Sequence, residues 1–445
     1  MIKVCRIFCN FGPNLTIIGM KQIMWMAMAA FSAMIVGASC SRNVYDVNEA
    51  QKIYDFSNPV DTIEANHPWL LTTSKVLMVT PPDEGTAERI VVLTKNPRES
   101  GDAEVVGEAF VTSANQTVVN ITYPSTTRTL YVAAVDGDDK YTIVKYDVNS
   151  SSSVINFRNA IVTGESIAYV PQPMLFTYCY EDEFYFAGDF DYNDVVLRIS
   201  QERTGEKEVR YRVQLAAVGT SKQVAAAIHL VGTKFSDVES VKTVDDKSFN
   251  VTAKGEAFPE QMMIVQKETA NLLQANNGDA VINVFVDAHW ATGDALNAEY
   301  GMMQRKKYNV TKGTDETHQM MVPREVIYIV TFKDVASANG LSVGQIDPFI
   351  YTEFNSAILE THTYTYRSVQ ALNSYPPSEI KSLPWAFAIP YGSFRWPIDG
   401  STIGFYINGS NFGAYKDPGH SFGEWSMDHT KALDWYLYPT DNQVF

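Results

Sequence analysis

Apolar and polar positions alternate over short segments along most of this chain, which is the pattern of β-strands with one buried face. Between residues 74 and 148 these segments are rich in Val, Ile, Thr and Tyr, and Gly, Pro, Asp and Asn separate them. Short strands at this spacing predict an immunoglobulin-like β-sandwich over residues 71–150. The Ser-rich stretch at 149–154 is typical of a linker.

The second half of the chain shows the same alternation over longer segments. Val209, Tyr211 and Val213 alternate with polar residues, which predicts an antiparallel strand with one face in water. Residues 256–275 are expected to include one short helix. The fold class is therefore all-β, with the N-terminal sandwich followed by a larger jelly-roll-like antiparallel β-sandwich over residues 160–445. Further strands are predicted at 223–233, 280–290, 325–334 and 346–354.

The N-terminus has the layout of a bacterial secretion signal. From Met20, one Lys precedes an apolar run of about 17 residues that ends in small residues and Cys40. Small residues directly before a Cys are typical of a lipobox, in which the Cys is lipidated and becomes the first residue. We therefore predict a signal peptide over residues 1–39 with its true start at Met20, a lipidated Cys40, and a polar tether over residues 40–70. A transmembrane anchor is the alternative, although the run is at the short limit for spanning a bilayer.

Charge and cysteine content narrow the class of protein further. The chain of 445 residues carries a formal net charge of −16, which argues against binding to nucleic acid through electrostatics. After Cys40 the only cysteine is Cys179, so the predicted mature body has no internal disulfide. Because Cys179 lies in an apolar segment, it is expected to be a small core residue rather than a nucleophile. The sequence lacks the phosphate-binding, nucleophile-elbow and zinc-protease motifs of common enzymes.

An acidic turn between two apolar runs, within residues 178–199, is the main candidate site. Its centre, residues 188–194, reads GDFDYND, with oxygen-bearing side chains at alternate positions. Ca²⁺ takes six to eight oxygen ligands, and alternating acidic residues can wrap a loop around it. The sequence therefore suggests a structural Ca²⁺ site. Its candidate ligands are Glu181, Asp182, Asp189, Asp191, Asn193 and Asp194.

Two other interpretations of this turn stay open. An EF-hand is not expected, because Asp194 stands where that motif requires Gly and no Glu follows at the right distance. Gly, Asp and Asn also form hydrogen-bonded structural turns without any ion, and the sequence favours neither this nor the cation. A catalytic pair of carboxylates, as in glycosidases, is the third interpretation.

The acidic string also resembles a known family. YEDEFYFAGDFDYNDVVLRI, at 180–199, is similar to the Glu-Asp … Gly-Asp-x-Asp-x-Asn-Asp-Val-Val signature of the LruC domain proteins, DUF4842-type bacterial lipoproteins abundant in Bacteroidetes. The start of the predicted mature chain also resembles theirs, in Cys-Ser at 40–41, Tyr-Asp at 45–46 and Asp-Phe-Ser at 55–57.

The C-terminus resembles the closing signature of the same family. One departure is that residues 359–368 lack the His-Leu-Pro-Gly string that tends to follow Asp-Pro-Phe-Ile, here at 347–350. The resemblance covers residues 40–445 and implies a non-enzymatic role. The matching strings are Leu-Pro-Trp at 383–385, Ile-Pro at 389–390, Phe-Arg-Trp-Pro at 394–397 and Leu-Asp-Trp-Tyr at 433–436.

Aromatic residues and two further polar residues offer weaker functional signals. The C-terminal tryptophans either form a glycan platform or close the core, and the core is favoured because Trp buries a large area. Asp287 and His289 could share one side of a strand, but no third ligand completes a zinc site. The C-terminal tryptophans are Trp385, Trp396, Trp425 and Trp435.

Together these signals predict an outer-membrane lipoprotein, held at the cell surface or on the periplasmic face by its lipid anchor. It is expected to be a non-enzymatic structural or adhesive module that binds a glycan or protein and no nucleic acid. The alternative is a secreted carbohydrate-active enzyme that uses the carboxylates of the acidic loop. Exposed tryptophans beside an open carboxylate cleft would favour the enzyme, whereas packed tryptophans would favour the module.

Overall fold

Strands make up 49% of the described chain and helices 8%, which confirms the predicted all-β class. The predicted signal peptide, with Met20 and Cys40, lies outside the described residues, as does most of the tether. The computed structural model describes residues 63–64, 67–82, 87–112, 116–158, 164–182, 189–244, 264–267, 271–293, 305–354, 357–363 and 383–445.

Strands β1 to β9 build the N-terminal half of the described chain. They form a three-stranded sheet of order β4-β1-β7 and a six-stranded sheet of order β8-β6-β5-β2-β3-β9. The predicted boundary between residues 150 and 160 falls inside this half, because β7, β8 and β9 all pair with earlier strands. The strands are β1 Thr72–Thr80, β2 Ala87–Leu93, β3 Glu104–Phe110, β4 Thr117–Pro124, β5 Thr129–Asp136, β6 Lys140–Asp147, β7 Val154–Asn156, β8 Glu165–Ser166 and β9 Gln172–Pro173.

The two N-terminal sheets pack face to face because each turns alternate apolar residues inward. Leu77 and Val79 of β1 share one core with Ile90 and Val92 of β2, and all four are fully buried. Gly107 shows how closely the sheets approach, since an added Cβ would lie 2.4 Å from the carbonyl oxygen of Asn120. This half is a β-sandwich, as its sequence predicts.

Strands β10 to β23 and two short helices follow. Where one short helix is expected, within residues 256–275, the described segments 264–267 and 271–275 contain strands β15 and β16 and no helix, and residues 256–263 and 268–270 lie outside the described residues. The elements are β10 Leu175–Tyr180, β11 Val195–Gly205, β12 Glu208–Val218, β13 Val224–Lys234, β14 Val238–Thr243, β15 Ile264–Lys267, β16 Leu272–Ala275, β17 Asp279–Phe285, α1 Ala288–Ala291, β18 Lys307–Tyr308, β19 His318–Gln319, β20 Arg324–Phe332, α2 Val335–Asn339, β21 Ile346–Phe354, β22 Ala357–Thr361 and β23 Ala386–Ile389.

These strands form a second, larger sandwich. One sheet has the order β14-β20-β12-β11-β10-β23, with β18 and β19 at its side, and the other has the order β15-β16-β17-β13-β21-β22. Two buried tyrosines join the sheets: the Tyr180 hydroxyl donates to the Pro348 carbonyl at 2.6 Å, and that of Tyr328 to the Val284 carbonyl at 3.2 Å. Such paired hydroxyls let large rings fill the core without an unmet polar atom.

A C-terminal aromatic core covers the outer face of β10 and β23. Trp425 and Trp435 are fully buried, and Trp435 packs edge-on against Phe387, Phe394 and other rings. Trp385 and Trp396 are also buried, which confirms that these tryptophans belong to the core. The remaining elements are β24 Phe405–Ile407, β25 Ser410–Phe412, β26 Lys416–Asp417, β27 His420–Ser421 and α3 Phe422–Met427.

The end of the predicted tether packs onto this aromatic core. Trp69 and Leu71 are buried in it, and the Trp69 ring lies 5.4 Å from that of Trp425. The Nε2 atom of His67 is 2.8 Å from the Trp425 carbonyl oxygen. The described end of the tether therefore contacts the body from residue 63 on. No helix within the described residues has the length and apolar character needed to cross a bilayer.

Candidate metal centre

The acidic turn connects β10 to β11, and the aromatic core holds it in an unusual backbone conformation. Phe190 and Tyr192 have φ angles of 56° and 53°. This left-handed region costs a non-glycine residue roughly 1–2 kcal/mol. Packing offsets that cost: the Tyr192 hydroxyl donates to the Pro384 carbonyl at 2.6 Å, and Ile403 N donates to the Phe190 carbonyl at 2.7 Å. The turn is therefore rigidly held from its apolar side.

Three of the predicted ligands come together in this turn. Carboxylate oxygens of Glu181, Asp189 and Asp191 lie within 4.8 Å of one another. Glu181 and Asp191 are each 2% exposed, whereas Asp189 is exposed to solvent. The three side chains therefore form a partly buried oxygen cluster with one side toward water. That arrangement suits Ca²⁺, which completes its coordination with water.

The other three predicted ligands serve the structure of the turn. Asp182 accepts from the Thr220 hydroxyl and forms an ion pair with Lys222 at 2.8 Å. Oδ2 of Asp194 accepts from Asp182 N at 2.8 Å. The side-chain amide of Asn193 donates to Asp191 Oδ2 at 2.6 Å and to a backbone carbonyl at 3.0 Å. These bonds fix the cluster rather than offer further ligands. The described turn therefore combines a hydrogen-bonded structural turn with a group of candidate Ca²⁺ ligands, the two interpretations that the sequence left open.

Close backbone packing also fixes the turn. Gly219 N donates to the Asn193 and Asp194 carbonyls, at 2.9 Å each. A Cβ on Gly219 would lie 1.9 Å from Asn193 Oδ1 and 2.7 Å from its carbonyl oxygen. Only glycine fits this position, and the sequence pattern alone did not indicate this contact.

Burial and mutual repulsion shape the electrostatics of the cluster. Burial, together with the neighbouring carboxylates, raises the pKa of Glu181 well above its ordinary value, although Tyr192 N donates to its Oε1 at 2.8 Å. Burial and the neighbouring carboxylates likewise raise the pKa values of Asp191 and Asp194. Carboxylates this close are costly to ionise together, and a divalent cation would remove that cost.

A positive side chain stands beside the acidic turn. Lys307 Nζ pairs with Asp399 at 2.8 Å. Burial acts to lower the pKa of Lys307, but Asp399 and the carboxylates of the turn outweigh it, so the pKa is raised. His318 Nε2 contacts the same Asp399 at 3.0 Å. Asp399 therefore contacts two basic side chains, and Lys307 brings a positive charge close to the carboxylates of the turn.

The remaining sequence candidates take structural places. Cys179 is fully buried, and burial raises the pKa of its thiol, as expected for a core residue rather than a nucleophile. Asp287 precedes helix α1 and accepts from His289 N at 2.9 Å, so this residue caps the helix. Strand β17 ends at Phe285, before Asp287 and His289, so these two residues do not share a strand face as the sequence suggested.

A second cluster of polar side chains, which the sequence patterns did not indicate, lies at the six-stranded sheet of the larger sandwich. His362 contacts Asp347 Oδ2 through Nδ1 at 2.6 Å and Glu360 Oε2 through Nε2 at 3.0 Å. Burial acts to lower the pKa of His362, but the two carboxylates outweigh it and raise the pKa to about 10. His229 contacts Asp279 at 2.9 Å on the same sheet. Strand pairing brings Asp279 beside His229 and Asp347 beside His362, although these pairs lie 50 and 15 positions apart in sequence.

This fold and site define a class of protein: an all-β sandwich with an oxygen-rich turn at the end of one sheet. Residues 207–425 match the model of a family described as a domain of unknown function, DUF4842. Over residues 207–425, this match confirms the family predicted from the motifs.

Two further comparisons complete the picture. A solved structure described as a "Putative lipoprotein from Bacteroides ovatus" is similar at 14% identity and a TM-score of 0.47, over 81% of this chain and 99% of that one. No curated protein matches the chain.

Proposed function

We propose that this protein is a lipid-anchored, non-enzymatic binding module of the bacterial outer membrane, with a structural Ca²⁺ in its acidic turn. Cys40 would carry the lipid, at the start of the predicted tether over residues 40–70. The observation that supports the metal is the cluster of Glu181, Asp189 and Asp191 oxygens, two of them from buried side chains. Its role would be to brace the junction of β10 and β11 against the aromatic core.

The geometry favours this role over carbohydrate hydrolysis. Glu181 and Asp191 are buried, so two of the three clustered carboxylates do not line an open cleft. The four C-terminal tryptophans are buried and present no sugar platform beside these carboxylates. Buried carboxylates and packed rings both support a structural ion.

Terbium luminescence tests the metal centre directly, because Tb³⁺ replaces Ca²⁺ and is excited through nearby aromatic rings. Tyr192 directly follows the proposed ligand Asp191 in sequence, and its backbone N–H donates to Glu181. We expect sensitised Tb³⁺ emission that Ca²⁺ displaces, and we expect its loss in Asp189→Ala. Asp139→Ala is the matched control, because Asp139 is also an exposed turn aspartate but lies in the N-terminal sandwich. Equal emission from both variants would refute the site.

Acylation tests the anchor. In cells supplied with an alkyne-labelled fatty acid, the wild-type chain should take up label and partition with the outer membrane. Cys40→Ala should lose both properties, and Cys179→Ala, which removes the cysteine of the folded body, should keep the label. Label retained by Cys40→Ala would show that the anchor is assigned wrongly.

A further inference from the structure

A surface cleft in the C-terminal region lies apart from the acidic turn. Its volume is about 620 Å³, within the range of small-ligand sites, about 300–1,000 Å³. Two short segments line it: β26 with the residue after it, and the residues that follow Tyr436. The lining residues are Lys416, Asp417, Pro418, Leu437, Tyr438, Pro439, Thr440 and Asp441.

The cleft has an aromatic wall on a firm support. The ring of Tyr438 is 38% exposed and stacks on the imidazole of His420, with centroids 4.0 Å apart and planes inclined by 21°. Asp434 Oδ1 holds this imidazole at 2.8 Å from Nδ1. Leu437 adds a second exposed apolar side chain to the wall. A ring already held in place loses little conformational freedom when a ligand stacks on it.

Polar groups of both kinds surround the aromatic wall. Lys416 and Asp417 are exposed and line one side. Asp441 lines the other and is oriented by an ion pair with Arg395 at 2.6 Å. The cleft therefore offers hydrogen-bond donors and acceptors around an apolar surface. This combination matches a pyranose, which presents axial C–H groups on its face and hydroxyl groups around its edge.

Charge restricts the class of sugar. The cleft contains two carboxylates and one ammonium group, and the whole chain carries a net charge of −16. A polyanion such as a sulfated glycan would be repelled by this surface. We propose that the cleft binds a neutral glycan, with one pyranose ring stacked on Tyr438 and hydroxyl groups bound by Asp417 and its neighbours. This inference deepens the proposed function and rests on the protein being a binding module.

An array of neutral and sulfated glycans, followed by calorimetric titration with the hexasaccharide of the best neutral hit, tests the proposal. We expect binding to neutral glycans only. Tyr438→Ala should weaken it at least tenfold. Tyr391→Ala is the matched control, since Tyr391 is 40% exposed and does not line the cleft, and it should leave the affinity within twofold. Asp417→Ala, at an exposed position, should weaken binding without changing the melting temperature.

Three outcomes would overturn the inference: no neutral glycan retained, preference for sulfated glycans, or equal affinities of Tyr438→Ala and wild type. If Tyr438→Ala has a shifted melting temperature, Asp417→Ala becomes the deciding variant. Unchanged glycan affinity in Asp417→Ala would then overturn the inference. None of these results touches the acylation of Cys40 or the terbium signal. Failure of the glycan site is thus distinguishable from failure of the proposed anchor and metal centre.

Discussion

Replacing Glu181 by Gln is the sharpest test of the metal centre, because it removes one negative charge and keeps the shape of the side chain. The Gln carbonyl oxygen can still accept from Tyr192 N, as Glu181 Oε1 does at 2.8 Å. The variant therefore preserves the turn and alters only the charge offered to Ca²⁺. A truncation to Ala would instead leave a buried N–H without a partner.

The expected size of the effect follows from linkage. Extracellular Ca²⁺ sites bind with dissociation constants of about 10⁻⁴–10⁻³ M. At a Ca²⁺ concentration of 100 times the tighter value, about 10 mM, binding to the folded state alone stabilises it by about 2.7 kcal/mol. For the compact unit Ser57–Phe445, with an unfolding entropy of about 2.1 cal/mol/K per residue, this raises the melting temperature by about 3 °C.

Differential scanning calorimetry at pH 8, with 10 mM Ca²⁺ or EDTA, measures this increment. Wild type should show it, and Glu181→Gln should not. In EDTA the variant should be at least as stable as wild type, because burial and neighbouring carboxylates raise the pKa of Glu181 and make its ionised form costly. Glu108→Gln is the matched control: Glu108 is half-buried, burial raises its pKa to about 7, and it accepts from Arg203 N. A full Ca²⁺ increment in Glu181→Gln would refute the ligand assignment.

Three further predictions concern stability, each measured by chemical denaturation. Gly219→Ala should lose about 1–3 kcal/mol of unfolding free energy through its clash with the turn, whereas Gly313→Ala, with nothing within 4 Å of the added Cβ, should stay within about 0.5 kcal/mol. The pKa of His362 is raised to about 10 in the folded state. The stabilisation that its protonated imidazole gives is therefore complete below its unfolded pKa of about 6.5, and between these two pKa values the free energy of unfolding declines by up to about 1.4 kcal/mol per pH unit. His362→Gln should lack that decline. Trp435→Ala should cost about 3–5 kcal/mol, because the ring is fully buried, and the exposed Leu437 should tolerate Ala.

Each of these predictions has a contrary result. Equal stabilities of the two glycine variants would show that the turn adapts to an added methyl group. A wild-type stability that stays level between pH 7 and 10 would show that the imidazole of His362 is neutral in the folded state. A loss below about 1 kcal/mol in Trp435→Ala would show that the aromatic core contributes little to the stability of the body.

The fold class follows from the sequence because alternation has a local cause. Val209, Tyr211 and Val213 point into the shared core, and Arg212 between them is exposed, as their pattern predicts. Residues 272–275 form a strand where a helix was expected. Their sequence, two Leu followed by Gln and Ala, suits helix and strand alike. Pairing of β16 with β17 decides the matter, and pairing is a long-range property.

The acidic turn was visible in sequence because its proposed ligands lie near one another along the chain. Which of the six candidate side chains meet was not visible, since Lys222 and Thr220, from a different loop, bind Asp182. The C-terminal cleft was hidden for a similar reason. Its wall is Tyr438, which follows the buried Trp435 closely in sequence, and only the fold shows which of these aromatic residues remains at the surface.

The contact between His67 and Trp425 spans 358 positions of the chain. A ribosome produces the segment around Trp69 long before the rings that will cover it, so that apolar segment has no native partner for most of synthesis. Contacts this distant close late and slow the final stage of maturation. Chaperones that shield this segment during export would then limit the yield of folded protein. A chain that ends before the last tryptophans would leave the apolar residues around Trp69 exposed and prone to aggregation.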